Sequence, residues 1–317
     1  MNSNKWSVTL FFYALLCSIF FQLHFFPSWA RSLPIGQYLF QNTLTLHNDF
    51  AMRQVVHLAQ GNVALLQIPL PKKDNLDLKV KKLICGDENL PFITESGTLK
   101  AIIAESYFSE RKTFYCLVQW NQGGLKDFPL ESVVAQINIV KKDYKKEKLT
   151  VENKRVFVKE EDLTRVKNET DILKKIYQQS NQENYFSRSF QLPLETLITS
   201  HYGTQRIYNK KKKSQHLGTD FRAHIGKEIK SSNDGVVVFS GDLFYTGNTI
   251  IIDHGLNIFT IYGHLSQLQV KENEKVQQGQ IIGLSGATGR VNGPHLHWGV
   301  LVNGHYIDGE NLTAIPL

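Results

Sequence analysis

The chain has 317 residues, room for about two domains at the usual ~100–200 residues each. Hydrophobic residues make up 42% and charged residues 21%, which excludes a disordered or collagen-like chain; a single long uncharged apolar run excludes a multi-span membrane protein. Three cysteines are too few for a disulfide scaffold or a Cys-based zinc cluster, and the formal charge of +7 is a mild basic excess suited to a polyanionic surface, a nucleic acid or a cell wall.

Residues 6–30 carry no Asp, Glu, Lys or Arg, and Lys5 precedes them. Ser28 and Ala30 place small residues at −3 and −1 of a cut after Ala30, the layout of a secretory signal peptide over 1–30. The stretch Trp6–Phe26 is also about the ~20 residues that span a bilayer, so an uncleaved membrane anchor stays open. Cys17 belongs to the apolar segment, because Leu16 stands where a lipobox needs a small residue. An exported chain would keep Cys85 and Cys116, either paired or as two buried thiols in strands.

Residues 31–145 read as short strands separated by polar and turn residues, a small β-sandwich-like domain. His47 and His57 have no partners at ligand spacing and are expected to be structural. Lys141–Lys148 is a lysine-rich connector, and residues 146–189 form a linker with an amphipathic helix over Glu160–Gln179. Leu163, Val166, Thr170, Leu173, Ile176 and Tyr177 fall on one side of that helix. Acidic residues open it and lysines close it, as the helix dipole favours. Residues 190–317 return to strand and glycine turn, so this second domain is expected to be mainly antiparallel β.

Eight of the eleven histidines lie after residue 200. The sharpest setting is His295-Leu296-His297: strand side chains alternate, so both imidazoles share a face and Leu296 anchors the other. His216 and Asp220, four apart near Gly218, suit a loop entering a strand. His nitrogen and carboxylate oxygen are good zinc ligands. His216, Asp220 and His297 would be three protein ligands, which leaves a fourth position open as in catalytic zinc sites. Zinc there would acidify water and polarise a carbonyl, with a nearby imidazole to carry the proton.

Over residues 195–317 the chain resembles the lysostaphin/LytM-type zinc metallopeptidases that cut peptidoglycan peptides. The matching pieces begin with Ile198-Thr199-Ser200-His201-Tyr202-Gly203 and His216-Leu217-Gly218-Thr219-Asp220. Tyr262-Gly263-His264-Leu265-Ser266, Gly286-Ala287-Thr288-Gly289 and Gly293-Pro294-His295-Leu296-His297 follow in order. The resemblance implies an antiparallel β-sheet metallopeptidase domain with an open groove. It implies one zinc ion on His216, Asp220 and His297, with His295 as general base and His264 orienting water or stabilising an oxyanion. The expected activity is metal-dependent hydrolysis of peptide bonds in peptidoglycan cross-links or stem peptides. The expected setting is the periplasm or cell envelope, with an inner-membrane attachment if the leader is retained.

Partners implied are peptidoglycan peptides and other cell-wall enzymes or inhibitors, with no nucleic acid. A non-catalytic regulator that binds wall or activates an amidase through the same groove is the rival reading, against which the intact ligand positions argue. A third reading, a biotinyl/lipoyl-like carrier suggested by Val276–Gly283, lacks the exposed lysine hairpin that such carriers need. His254 is expected to be structural, His201, His224 and His305 lack a motif, and Lys210–Lys213 reads as a solvated loop. The turns Gly241–Gly247 and Ser285–Gly293 are expected to line the groove, their glycines admitting an extended peptide.

Overall fold

A computed structural model describes residues 54–70, 78–122, 130–149, 158–209 and 212–317. The apolar segment of residues 6–30, with Cys17, and His47, Lys210 and Lys211 lie outside the described residues. Among the described residues no helix is long and apolar enough to cross a membrane.

The protein is mainly β, as its strand-and-turn texture predicts. In the amino-terminal half the strands are β1 (Gln54–Ala59), β2 (Val63–Pro69), β3 (Leu78–Cys85), β4 (Glu88–Leu90), β5 (Ile93–Glu95), β6 (Thr98–Ala104), β7 (Thr113–Gln122), β8 (Leu130–Val140) and β9 (Lys146–Leu149). Five of them form a sheet in the order β1-β8-β7-β3-β4, and β2-β6-β5 form another. Leu66, Ile68, Leu99 and Ile103 from the smaller sheet share one core with Leu83, Val118, Trp120 and Ile137 from the larger. Each such side chain, fully buried, stabilises by roughly 1.5–3 kcal/mol. Cys85 and Cys116 are Cα partners on β3 and β7 and are joined by a disulfide, so of the two readings of these cysteines the paired one holds.

The lysine-rich connector is not plain linker. Lys146–Leu149 runs parallel to β11 (Gln205–Tyr208), which pairs on its other side with β12 (Lys212–Gln215). Local composition hides this strand because its pairing partner lies about sixty residues downstream, as Gln205 opposite Lys146 shows.

Helix α1 (Glu160–Tyr177) has the expected acidic start and basic end, but it carries no buried residue. Leu173, Ile176 and Tyr177 pack on the sheet beneath. Leu163 is 52% exposed and Thr170 is exposed, its hydroxyl donating to the Val166 carbonyl. The apolar stripe therefore docks only at its carboxy-terminal half, and the sequence expectation for Leu163 and Thr170 is corrected.

The carboxy-terminal half adds β10 (Ile198–Ser200), β13 (Thr219–Arg222), β14 (Glu228–Lys230), β15 (Gly235–Leu243), β16 (Gly247–Asp253), β17 (Ile258–Leu268), β18 (Lys275–Val276), β19 (Ile281–Ser285), β20 (His295–Val302) and β21 (His305–Ile307), then a short helix α2 (Gly309–Thr313). The main path of this sheet is β10-β13-β20-β17-β16-β15-β18. The period of two sorts its side chains between two cores. Ile250 and Ile252 of β16 and Leu296, Trp298, Val300 and Val302 of β20 enter the larger one. Ile251, Phe259, Ile261 and Leu301 point to the face that α1 covers. The halves are tied together: the Val63 N–H donates to Asn311 Oδ1 at 2.7 Å, Asn303 Nδ2 to the Ile102 carbonyl at 2.8 Å, and Lys142 Nζ lies 3.0 Å from Asp308 Oδ2.

Candidate metal centre

The same alternation that buries Leu296 and Trp298 turns His295 and His297 to the opposite face of β20. Register then sets the site: Asp220 on β13 is the Cα partner of His297, and Gly263 on β17 is its partner on the other side. His216 enters from the loop before β13. His216 Nε2 and Asp220 Oδ1 are 2.9 Å apart, His297 Nδ1 and Asp220 Oδ1 are 2.9 Å, and the two ring nitrogens are 3.2 Å. These three ligand atoms meet the spacing for a shared metal ion. Around a tetrahedral ion with ~2.0–2.2 Å bonds, ligand atoms stand about 3.3–3.6 Å apart, so a few tenths of an ångström of expansion would seat it. Two imidazoles and one carboxylate are a zinc-type donor set, and the residues fit that ion.

Outer contacts fix each ligand. His216 Nδ1 is 3.3 Å from the His201 carbonyl and 3.2 Å from Ser200 Oγ. A carbonyl only accepts, so this contact favours the tautomer that leaves Nε2 free to bind metal. Arg206 on β11 donates to Ser200 Oγ at 2.8 Å and lies 3.5 Å from Asp220 Oδ2, with Glu147 of β9 4.0 Å behind it. Burial would raise the Asp220 carboxyl, but hydrogen bonds and charge from His216 and His297 outweigh it and hold the group well below the usual carboxylate range. Gly218 leaves room for His297: a Cβ there would lie 2.5 Å from its Cε1.

His295 and His264 stand beside this centre. Their rings are 4.7 Å apart, and His295 Nε2 is 3.7 Å from Asp220 Oδ1. His295 Nδ1 donates to the Gly293 carbonyl and His264 Nδ1 to the Thr288 carbonyl, each at 2.9 Å. With Nδ1 donating, the neutral form of either ring carries its lone pair on Nε2. His264 has φ 64°, uncommon for a non-glycine residue, and its N–H donates to the Thr246 carbonyl at 2.6 Å. Burial, then the charges of His297 and His295, lowers its pKa to about 3.

All five residues singled out in the sequence thus converge. Ser200 and Thr288, which stand in the matching pieces of the sequence, and Arg206 also hold the site, although the sequence reading gave them no role in it. The other histidines lie elsewhere: His57 is exposed, His254 is fully buried, His201 pairs with Glu310 at 2.9 Å and His305 with Glu88 at 3.0 Å. Two of the glycines expected to line the groove have a packing task. A Cβ at Gly247 would meet the Thr288 carbonyl carbon at 2.4 Å, and one at Gly289 would meet the Gly247 nitrogen at 2.3 Å. Both residues have positive φ, so these glycines let the two turns pack against each other.

Comparison with known proteins agrees with this geometry. The profile of Peptidase family M23 matches residues 214–309. The peptidoglycan DD-endopeptidase ShyA of Vibrio cholerae is 43% identical over 121 residues, 38% of this chain and 28% of that protein. The DD-carboxypeptidase/endopeptidase Mpg of Neisseria meningitidis serogroup B is 39% identical over 101 residues, 32% of this chain and 23% of that protein. The chain thus spans less than a third of the length of these relatives. A crystal structure of a Pseudomonas aeruginosa protein assigned to peptidase M23 covers 80% of this chain and 94% of its own, with a TM-score of 0.58 at 22% identity. That likeness is one of fold, and it extends beyond residues 214–309. The His216, Asp220 and His297 triad, the flanking His264 and His295 and the sheet register all lie within residues 214–309, the segment that the model of Peptidase family M23 matches.

Proposed function

We propose that this chain is a zinc-dependent endopeptidase that hydrolyses peptide bonds of bacterial peptidoglycan, in cross-links or stem peptides. The observation that carries the reading is the convergence of His216 Nε2, Asp220 Oδ1 and His297 Nδ1 beside two further imidazoles. The names of the M23 relatives supply the substrate class.

His216, Asp220 and His297 would hold the zinc ion, which would supply Lewis acidity toward a scissile carbonyl and water. The remaining chemistry belongs to the side chains. His295, its Nδ1–H committed to the Gly293 carbonyl, takes the attacking water's proton at Nε2 and returns it to the leaving amine. His264, anchored to the Thr288 and Thr246 carbonyls, offers Nε2 as an acceptor that orients that water. The geometry of the neutral ring favours this role over oxyanion stabilisation, which would require a donor at Nε2. His295 and His297 keep 20% and 18% of their side-chain surface open, so a substrate can reach them.

Export to the periplasm or cell envelope is part of the proposal. The uncharged apolar leader and the Cys85–Cys116 disulfide support it, since such bonds persist in oxidising compartments. The test is a split between two variants. His297→Ala should lose both zinc and hydrolysis of purified sacculi, whereas His295→Ala should keep zinc and lose hydrolysis. A zinc-loaded protein that leaves sacculi intact yet stimulates an amidase would replace the proposal with the regulatory reading.

A further inference from the structure

Helix α1 has no buried residue, yet its middle makes a specific polar contact with the sheet. Glu169 is the centre of it. Its side chain is 15% exposed, much less than expected for a glutamate on a surface helix. Oε1 accepts from Arg165 Nε at 2.7 Å, and Oε2 accepts the backbone N–H of Phe244 at 2.7 Å. Arg165 also binds Asp242 Oδ2 at 2.6 Å. The Phe244 ring has the guanidinium carbon of Arg165 at 5.8 Å and that of Arg290 at 5.4 Å.

The Tyr245 carbonyl accepts from the Arg290 N–H at 3.0 Å, and the Thr246 carbonyl accepts from the His264 N–H at 2.6 Å. Gly247 then abuts Thr288, whose carbonyl holds His264 Nδ1. Three successive residues therefore link α1 to the turn that precedes His295 and to the strained backbone of His264. An unbraced hairpin tip would leave His264, at φ 64°, free to relax toward a commoner conformation.

We infer that Glu169 is a positioning residue: by holding the Phe244 N–H it fixes the 244–246 turn, and through that turn the placement of His264 and of the Arg290 turn. This rests on the proposed endopeptidase reading for its catalytic consequence, but not for its structural one. The carboxylate–amide bond is a charge-assisted one, and losing it costs about a factor of ten in the local closing equilibrium.

The experiment compares full-length Glu169→Ala, Glu169→Gln and, as an anchoring control, Ile176→Ala. Amide exchange is read at Phe244, His264 and Arg290, alongside zinc content and steady-state cleavage of a cross-linked muropeptide. Glu169→Ala should speed exchange at all three amides about tenfold. It should lower kcat about tenfold with KM within about twofold and zinc content unchanged. Glu169→Gln, which keeps an acceptor oxygen, should restore most of both. Ile176→Ala should loosen α1 without accelerating the His264 amide. Unchanged exchange at His264 and Arg290 in Glu169→Ala overturns the inference, as does a Gln variant no better than Ala. If the wild-type protein cleaves no muropeptide, the endopeptidase reading fails while the exchange data still decide the positioning role.

Discussion

Gly218→Ala perturbs the metal centre by one methyl group, and the structure fixes the consequence. The new Cβ would stand 2.5 Å from His297 Cε1, 2.7 Å from His297 Nε2 and 2.8 Å from the Trp298 carbonyl oxygen. Ordinary carbon contacts begin near 3.4 Å, so His297 must move by close to an ångström, or β13 must part from β20. Retreat is hindered on the β20 side, where Leu296 and Trp298 are fully buried and lock the strand. Metal sites tolerate about ±0.2 Å in ligand distance, and a misplacement of ~1 Å costs about 10²-fold in rate. The variant should therefore bind zinc about 10–100-fold more weakly, by analogy with lost outer-shell support, and lose hydrolysis at least as steeply. Zinc affinity is measured by competition with a chromogenic chelator, and folding by the near-UV circular dichroism of the metal-free protein. Gly293→Ala is the control, because a Cβ there meets nothing within 4 Å although His295 lies two residues away. A Gly218→Ala protein with wild-type zinc affinity and activity would refute the steric argument. So would a Gly293→Ala protein equally impaired.

Two further predictions concern stability. His254 is buried with its pKa lowered from 6.5 to about 4 by burial, so the unfolded state binds the extra proton between those values. Stability should rise with pH across that window and fall as pH drops through it, by about 3 kcal/mol in full; urea titrations from pH 4 to 7 should show a shallower slope in His254→Asn, and an unchanged slope would contradict the assignment. The Cys85–Cys116 disulfide closes a loop of 31 residues in sequence separation, worth about 3–4 kcal/mol in the chain-entropy account. Cys85→Ala/Cys116→Ala should lower the urea midpoint of the amino-terminal half, and no loss of stability would show the bond to be dispensable.

The metal centre was legible because its signals are local. Period-two alternation places His295 and His297 on one face, and a glycine-broken His216…Asp220 spacing marks a loop entering a strand. The roles of the supporting residues were not legible, because tertiary contacts bring them in from afar. Arg206 reaches Asp220 only because β9 and β12 flank β11, and β9 was read as a charged connector. The strand character of Lys146–Leu149 comes from its partner, not from its lysines. Helical spacing likewise placed Leu163 beside Leu173, but it cannot tell where the sheet beneath the helix ends. Gly247 and Gly289 were visible as turn glycines, whereas the close packing of one turn on the other is a tertiary fact.

The proposed function requires a zinc ion on His216, Asp220 and His297 that serves hydrolysis of peptidoglycan peptides. It is tested most directly by mass spectrometry of the muropeptides released from purified sacculi by the zinc-loaded protein, with and without chelator. Peptide-bond cleavage products should appear, vanish on chelation and return with added zinc. Intact cross-links and stem peptides after prolonged digestion by zinc-loaded protein would contradict it.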